Sequence, residues 1–143
     1  MMIHQISVFL ENRAGQLAEI TGLLAEHHID IRALSIAETS DYGVARMIVD
    51  DAKKASEVLL AHGDILSMTP VWAVEVPDSP GGLAELLTAL AEKEIGIEYM
   101  YSLFVQQDGC AVMVLRISDE AAFESTLKEH NIKLVSEQEL GFK

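Results

Sequence analysis

Cysteine is nearly absent: the sequence has one, Cys110, and a lone thiol cannot close an intrachain disulfide. The histidines, His4, His27, His28, His62 and His130, fall at no spacing that resembles a zinc site. No apolar run approaches the roughly 20 residues that a membrane-spanning helix needs. Met1-Met2-Ile3-His4 lacks the basic start and long apolar stretch of a signal peptide, so a soluble, cytoplasmic protein is expected. Basic residues are scarce: 10 Lys and Arg stand against 23 Asp and Glu, for a formal net charge of −13. The excess is spread over both halves, with 5 basic and 10 acidic residues up to Thr69 and 5 and 13 after it. Such a field repels phosphate backbones and anionic lipid, which argues against nucleic-acid and membrane partners. A phosphate loop, a Gly-rich dinucleotide turn and a nucleophile with an evident base are also missing. No catalytic role, cofactor or metal is therefore expected.

What the chain does contain, it contains twice. Glu11-Asn12-Arg13-Ala14-Gly15-Gln16-Leu17 returns 66 positions later as Pro77-Asp78-Ser79-Pro80-Gly81-Gly82-Leu83. Aligning Gly15 through Val49 with Gly81 through Leu115 without a gap gives 12 identities, among them Gly15, Leu17, Ala18, Glu19, Ile29, Ile31 and Gly43. A length of 143 residues permits one domain or two small ones, and self-similarity at a fixed period decides for two, residues 1–69 and 70–143. Half of the residues are hydrophobic, ample for a core in each.

The elements repeat in the same order. Ile6, Val8 and Leu10 alternate as in a half-buried strand, and Leu17, Ile20, Leu23 and Leu24 then fall at helical spacing over Ala14 to His28. Ile29 to Thr39 and Val44 to Val49 read as a hairpin around Ser40 to Gly43; Ala52 to His62 is a second helix, stopped by Gly63; Ile65 to Met68 is a last strand. After a short linker at Thr69-Pro70 come strand Val71 to Val76, helix Gly82 to Glu94, a hairpin of Ile95 to Gln106 with Cys110 to Ile117 around Gln107-Asp108-Gly109, helix Glu120 to His130 and strand Ile132 to Val135. The expected class is α+β: two ferredoxin-like βαββαβ units packed side by side into one extended antiparallel sheet. In the second hairpin both alternation sets are apolar, Ile95, Ile97, Tyr99, Tyr101 and Leu103 against Met100 and Phe104. A sheet face still apolar where no helix covers it usually packs on something, so a homodimer is expected.

Each duplicated turn opens a helix, and a helix N-terminus, with unpaired N–H groups and partial positive charge, suits a carboxylate. Glycine in the first helical turn costs about 1 kcal/mol relative to alanine, so Gly81-Gly82 needs a reason. Close approach of a ligand to bare backbone is one; tight packing of helix on sheet is another. Asp78-Ser79-Pro80 also reads as an ordinary helix entry, with Ser79 as the cap and Pro80 first in the helix.

Asp78-Ser79-Pro80-Gly81-Gly82-Leu83 resembles the turn of the ACT domain, a ferredoxin-like module that binds amino acids: an acidic or amide residue, any residue, Pro, Gly, any residue, Leu. Asn12-Arg13-Ala14-Gly15-Gln16-Leu17 matches except that Ala14 replaces Pro, and Glu11 through Gly15 looks like the serine-binding domain of phosphoglycerate dehydrogenases. The resemblance covers both halves and implies a small free-standing bacterial protein of two ACT domains with no catalytic domain. It further implies that each turn faces the start of the second strand of the other half, at a position where serine-binding relatives carry an Asn and this chain has Asp30 and Gly96. One implied site joins Asn12, Arg13, Ala14, Gly15, Gln16 and Leu17 to Gly96, Glu98 and Tyr99; the other joins Asp78, Ser79, Pro80, Gly81, Gly82 and Leu83 to Asp30, Arg32 and Ala33. The implied function is a non-enzymatic regulatory or sensor protein that holds a small amino acid and acts on a metabolic enzyme. The alternatives are a ligand-free regulatory or scaffolding subunit, like the small subunit of acetolactate synthase, and an enzyme that uses the ferredoxin-like cleft.

The remaining candidates have plainer readings. The histidines at predicted helix C-termini, His27, His28, His62 and His130, suit the negative end of the dipole. Cys110 reads as a buried thiol, Tyr99 and Tyr101 as sheet packing with Tyr99 able to line a pocket, and Arg32 with Glu98 as surface ion-pair partners.

Overall fold

The computed structural model describes residues 2–11, 13–38, 41–104 and 109–143. The chain divides into two compact units. The first takes His4–Thr69 and Gly141–Lys143, and the second takes Pro70–Leu140 together with Met2 and Ile3. Both have the ferredoxin-like plan.

In the first unit strand β1 (Ile3–Leu10) leads to helix α1 (Gln16–Glu26), the hairpin β2 (Ile31–Glu38) and β3 (Gly43–Val49), and helix α2 (Ala52–His62). Strand β3 lies between β2 and β1, antiparallel to both, and Phe9 N–H donates to Ile65 O at 2.8 Å on the other side of β1. The helices cover one face, where Ile6, Val8, Met47 and Val49 of the sheet meet Ile20, Leu24, Ala55 and Leu59. Helix α2 is capped at both ends: Asp51 accepts the Lys54 N–H at 3.2 Å, and Gly63 closes it at φ 95°. The C-terminal segment is tied to this unit by a 2.7 Å hydrogen bond from Lys143 N–H to Asp50 O.

The second unit repeats the plan with β4 (Leu66–Pro77), α3 (Gly82–Glu92), β5 (Ile97–Ser102), β6 (Cys110–Ile117) and α4 (Glu120–Glu129). Strand β6 lies between β4 and β5. Trp72, Val74, Leu115 and Ile117 pack on Leu86, Leu90, Phe123 and Leu127.

Three local expectations are corrected. Thr69-Pro70 is not a linker but lies inside the single strand β4, whose twelve residues run from Leu66 to Pro77. The segment after α4 forms no full strand: it pairs through a bridge between Leu134 and Val74, with Glu75 N–H on Lys133 O at 3.0 Å and Val135 N–H on Ala73 O at 2.8 Å. In β5 the pairing with β6 shifts register between Ile97 and Tyr99, a bulge at Glu98. A one-residue bulge turns every later side chain to the opposite face. Ile97 and Met100 therefore both pack on the helix-side core, whereas Tyr99 and Tyr101 leave that face together, their rings stacked with centroids 6.5 Å apart. The same shift stands in β2 between Ile31 and Ala33, so Ile31 and Leu34 share the core side. The tips of the two predicted hairpin turns, Ser40 and Gln107-Asp108, lie outside the described residues.

Candidate functional site

Both duplicated turns enter their helices in the same unusual way. The residue before each helix is a glycine in the left-handed region, Gly15 at φ 88° and Gly81 at φ 93°, and no side chain caps either helix. An L side chain is strained at such φ, and an added Cβ would meet nothing within 4 Å at either position, so backbone conformation rather than crowding calls for glycine. The first intrahelical bonds are Glu19 N–H to Gly15 O and Glu85 N–H to Gly81 O, both 3.0 Å. Neither helix therefore has a side-chain acceptor on the N–H groups of its first turn. Ser79 is not the cap expected of it; its carbonyl accepts the Gly82 N–H at 3.0 Å, and Pro80 precedes the helix.

Beyond that shared entry the turns differ. Asn12 lies outside the described residues. Arg13 forks onto Glu19, with Nη1 to Oε1 at 3.2 Å and Nη2 to Oε2 at 2.9 Å, and its Nε is 3.7 Å from Glu11 Oε2. That hydrogen bond first, then the two opposite charges, lowers the Glu19 pKa and raises that of Arg13. Gln16 is buried and reaches back so that its Oε1 accepts the Glu11 N–H at 2.7 Å. Ala14 is exposed and Leu17 is partly buried against the core. In the second turn Asp78 is held by its backbone, N–H to Gly109 O at 2.8 Å. Gly82 packs so closely that an added Cβ would overlap the Pro77 carbonyl oxygen. Helix-on-strand packing, not a ligand, is thus what Gly82 answers to. Leu83 beside it is exposed.

The second-strand residues are engaged within their own units. Asp30 exchanges backbone and side-chain hydrogen bonds with Asp50, and its Oδ2 lies 3.0 Å from Arg32 Nη1. The carboxylate expected to await an ammonium already has a cation. Ala33 is buried. Gly96 O accepts from both the backbone N–H and the hydroxyl of Ser118 at 3.2 Å. Glu98, on the bulge, is 3.5 Å from Arg116 Nε, and Arg116 also donates to Pro70 O at 2.9 Å.

Each turn borders a pocket inside its unit that the sequence did not single out. Beside the first turn a pocket of about 160 Å³ is walled by Phe9, Glu11, Arg13, Gln16, His62 and Asp64. Beside the second a larger one, about 300 Å³, includes Glu75, Pro77, Glu85, Cys110, His130 and Lys133. His62 pairs through Nδ1 with Asp64 Oδ2 at 2.9 Å. Cys110 is half-buried rather than buried, and its Sγ–H donates to Glu75 Oε1 at 3.3 Å, which together with burial raises the thiol pKa. The signal for these walls lies in the sequence after each second helix, His62-Gly63-Asp64 and His130-Asn131-Ile132, where the chain returns beside the turn. Among the described residues no three His, Cys, Asp or Glu side chains are grouped to hold a metal, and no helix is long and apolar enough to cross a membrane.

The family described as an ACT domain pair matches residues 1–142. A crystallised protein from Bacteroides thetaiotaomicron is similar at 37% identity with a TM-score of 0.89, covering 99% of this chain and 96% of that one. The ligand-free regulatory subunit of aspartate kinase from Thermus thermophilus has the same fold at 19% identity, TM-score 0.66 and 90% coverage of each chain. The regulatory subunit of aspartate kinase from Thermus flavus shares it at 21% identity, TM-score 0.58, with 91% and 94% covered. No curated protein matches the chain.

Proposed function

The chain belongs to the family of paired ACT domains, and on that premise we propose that it is a non-enzymatic regulatory protein that binds an amino acid at its duplicated turns. One observation carries this reading: both helices open on a left-handed glycine with no side-chain cap, and apart from the Gly82 N–H, which Ser79 O accepts, this supports an α-carboxylate on the first-turn N–H groups. Of the residues the resemblance implies, the turn residues Gly15 and Gly81 bind through backbone, and Gln16 supplies a side chain. Ligand capture shifts the population of conformations, and a metabolic enzyme partner reads the shift in trans. The protein works in the cytoplasm as a homodimer.

Calorimetry of the whole chain against the twenty amino acids tests this reading. At least one should release heat, and at about 100 times its dissociation constant it should stabilise the fold by roughly 2.7 kcal/mol. Its methyl ester, with no carboxylate charge for the helix terminus, should bind far more weakly. Silence with all twenty would leave the second reading, a ligand-free regulatory or scaffolding subunit, which the self-contained packing of Gly82 against Pro77 favours.

A further inference from the structure

A groove of about 430 Å³ runs along helix α3, lined by the small residues Ala84, Thr88 and Ala89, by Glu85 and Glu92, and by Ile132 from the segment after α4. Both carboxylates are exposed. Their counterparts in the first unit, 66 positions earlier, are Glu19 and Glu26. There Glu19 is neutralised within the chain by the Arg13 fork, at 2.9 and 3.2 Å. The second unit has Ser79 where the first has Arg13, so that cation is missing from Glu85. The lysines nearest in sequence are spent: Lys93 lies 3.7 Å from Glu129, and Lys133 lies 2.8 Å from Glu139. Among the described residues neither Glu85 nor Glu92 has an ion-pair partner. The groove of about 390 Å³ in the first unit is of another kind, because Leu23 and Val58 line it and neither Glu19 nor Glu26 does.

We propose that the α3 groove is the docking surface for a basic amphipathic helix of a partner protein, whose Arg or Lys side chains supply to Glu85 and Glu92 the cation that Arg13 supplies to Glu19. Charge complementarity selects this occupant. Glu85 and Glu92 stand two turns apart on one face of α3, about 10 Å along its axis, so a helix laid beside α3 with basic residues seven positions apart meets both. The small side chains of Ala84, Thr88 and Ala89 let the partner's backbone and apolar face come close. A second copy of this chain is disfavoured, since each carries a formal charge of −13 and like fields repel. The inference rests on the reading above only in that a partner is regulated in trans; it does not depend on where an amino acid binds.

The test titrates the ¹⁵N-labelled whole chain with a synthetic amphipathic helix of about 18 residues, roughly five turns of alanine and leucine, that carries two arginines seven positions apart. The backbone amides of Ala84 and Thr88 should move with one saturation curve. A peptide of the same composition with its arginines two positions apart, and so on different faces, should bind about tenfold more weakly. Ser79 is exposed, so Ser79→Arg leaves the fold intact while giving Glu85 a cation of its own. That variant and Glu85→Gln should each bind the first peptide about tenfold more weakly than wild type. Glu26→Gln, which removes the same charge from the first unit, should bind it within about twofold, a margin that diffuse attraction alone does not separate from Glu85→Gln. The docking surface is wrong if the first peptide does not bind, if it moves other amides and not those of Ala84 and Thr88, or if Ser79→Arg and Glu85→Gln both bind it as wild type does. It is equally wrong if Glu26→Gln loses as much affinity as Glu85→Gln. Should any of these occur while calorimetry still shows heat with an amino acid, the regulatory reading stands without this surface.

Discussion

Glu11 and Gln16 close the first turn on each other: the Glu11 N–H donates to Gln16 Oε1 at 2.7 Å. In the second copy the same two positions hold Pro77 and Gly82, one without an N–H and the other without a side chain. Donor and acceptor are missing together, so neither copy leaves a half-made hydrogen bond, and the space of the lost glutamine side chain is taken by the helix moving onto the Pro77 carbonyl. The two turns solve one backbone problem by different means.

Removing one member of the first pair should therefore show. Gln16→Met keeps the length of the side chain and strands the Glu11 N–H, which should cost about 1 kcal/mol in urea denaturation. A loss below a few tenths of a kcal/mol would mean that the bond contributes nothing to the turn.

Gly82 and Gly81 should separate sharply on replacement by alanine. At Gly81 the cost is that of a left-handed L residue, about 1–2 kcal/mol, since nothing crowds the new methyl group. At Gly82, inside the helix, alanine would gain roughly 1 kcal/mol of propensity, but its Cβ meets rigid backbone at Pro77, and a net loss of about 2–3 kcal/mol is expected. Equilibrium unfolding of both variants decides it; a Gly82→Ala protein as stable as wild type would refute the close packing.

Much of this was legible in advance. The repeat, the element order and the helix boundaries could be read from periodicity, from Gly15 and Gly81 at helix starts and from Gly63 at a helix end, because these signals are local. Two errors had one source, the assumption that pattern runs unbroken: Pro70 read as a break, although a strand tolerates proline where its N–H is not required, and Tyr99 was put on the side of Ile97 because a bulge at Glu98 leaves no trace in apolar alternation. The site was legible as a turn but not as a pocket. Gln16 looked like a residue offered to a ligand, yet one half of its amide serves its own turn. His62 and Asp64 come beside it from a segment more than forty residues away, a juxtaposition only the folded chain makes.

The Arg13–Glu19 fork sets a pH dependence whose sign is fixed. Glu19 titrates below its ordinary value of 4.5 in the folded chain, chiefly through the hydrogen bond from Arg13. A lowered folded-state pKa stabilises fully above the unfolded-state value, and that contribution drains away as pH falls through the folded one. Melting temperature should drop below about pH 4.5, and Glu19→Gln should drop less over that range. Salt should weaken the effect, since the pair is exposed. An identical acid limb in Glu19→Gln would exclude the pair as a contributor.

Trp72 is buried against Phe123, ring centroids 5.3 Å apart, and its Nε1 is sealed from solvent with no partner among the described residues. An orphaned buried donor costs about 1–3 kcal/mol. Trp72→Phe removes that donor while opening a small void, so the two effects oppose and the net loss should stay under about 1.5 kcal/mol. Phe123→Ala has no such offset and should lose about 3–5 kcal/mol. Comparable losses for the two variants in urea denaturation would show that Trp72 Nε1 finds a partner in solution.

Cys110 is partly accessible, yet its contact with Glu75 should make it slow to react. The thiol donates to the Glu75 carboxylate at 3.3 Å, and that bond, then burial, then the negative charge, all favour the protonated form and raise the pKa. Thiolate is the species that is alkylated, so iodoacetamide should react slowly at neutral pH. The rate should climb only at a pH above the ordinary thiol range. Glu75→Gln keeps an oxygen to accept the S–H but removes the charge, which lowers the pKa and shifts the rate profile to lower pH. Lys133 works the other way, since its ammonium favours the thiolate. Lys133→Met should therefore slow alkylation further, and the two substitutions should move the profile in opposite directions. A profile unchanged by Glu75→Gln would mean that the carboxylate does not hold the proton on Cys110.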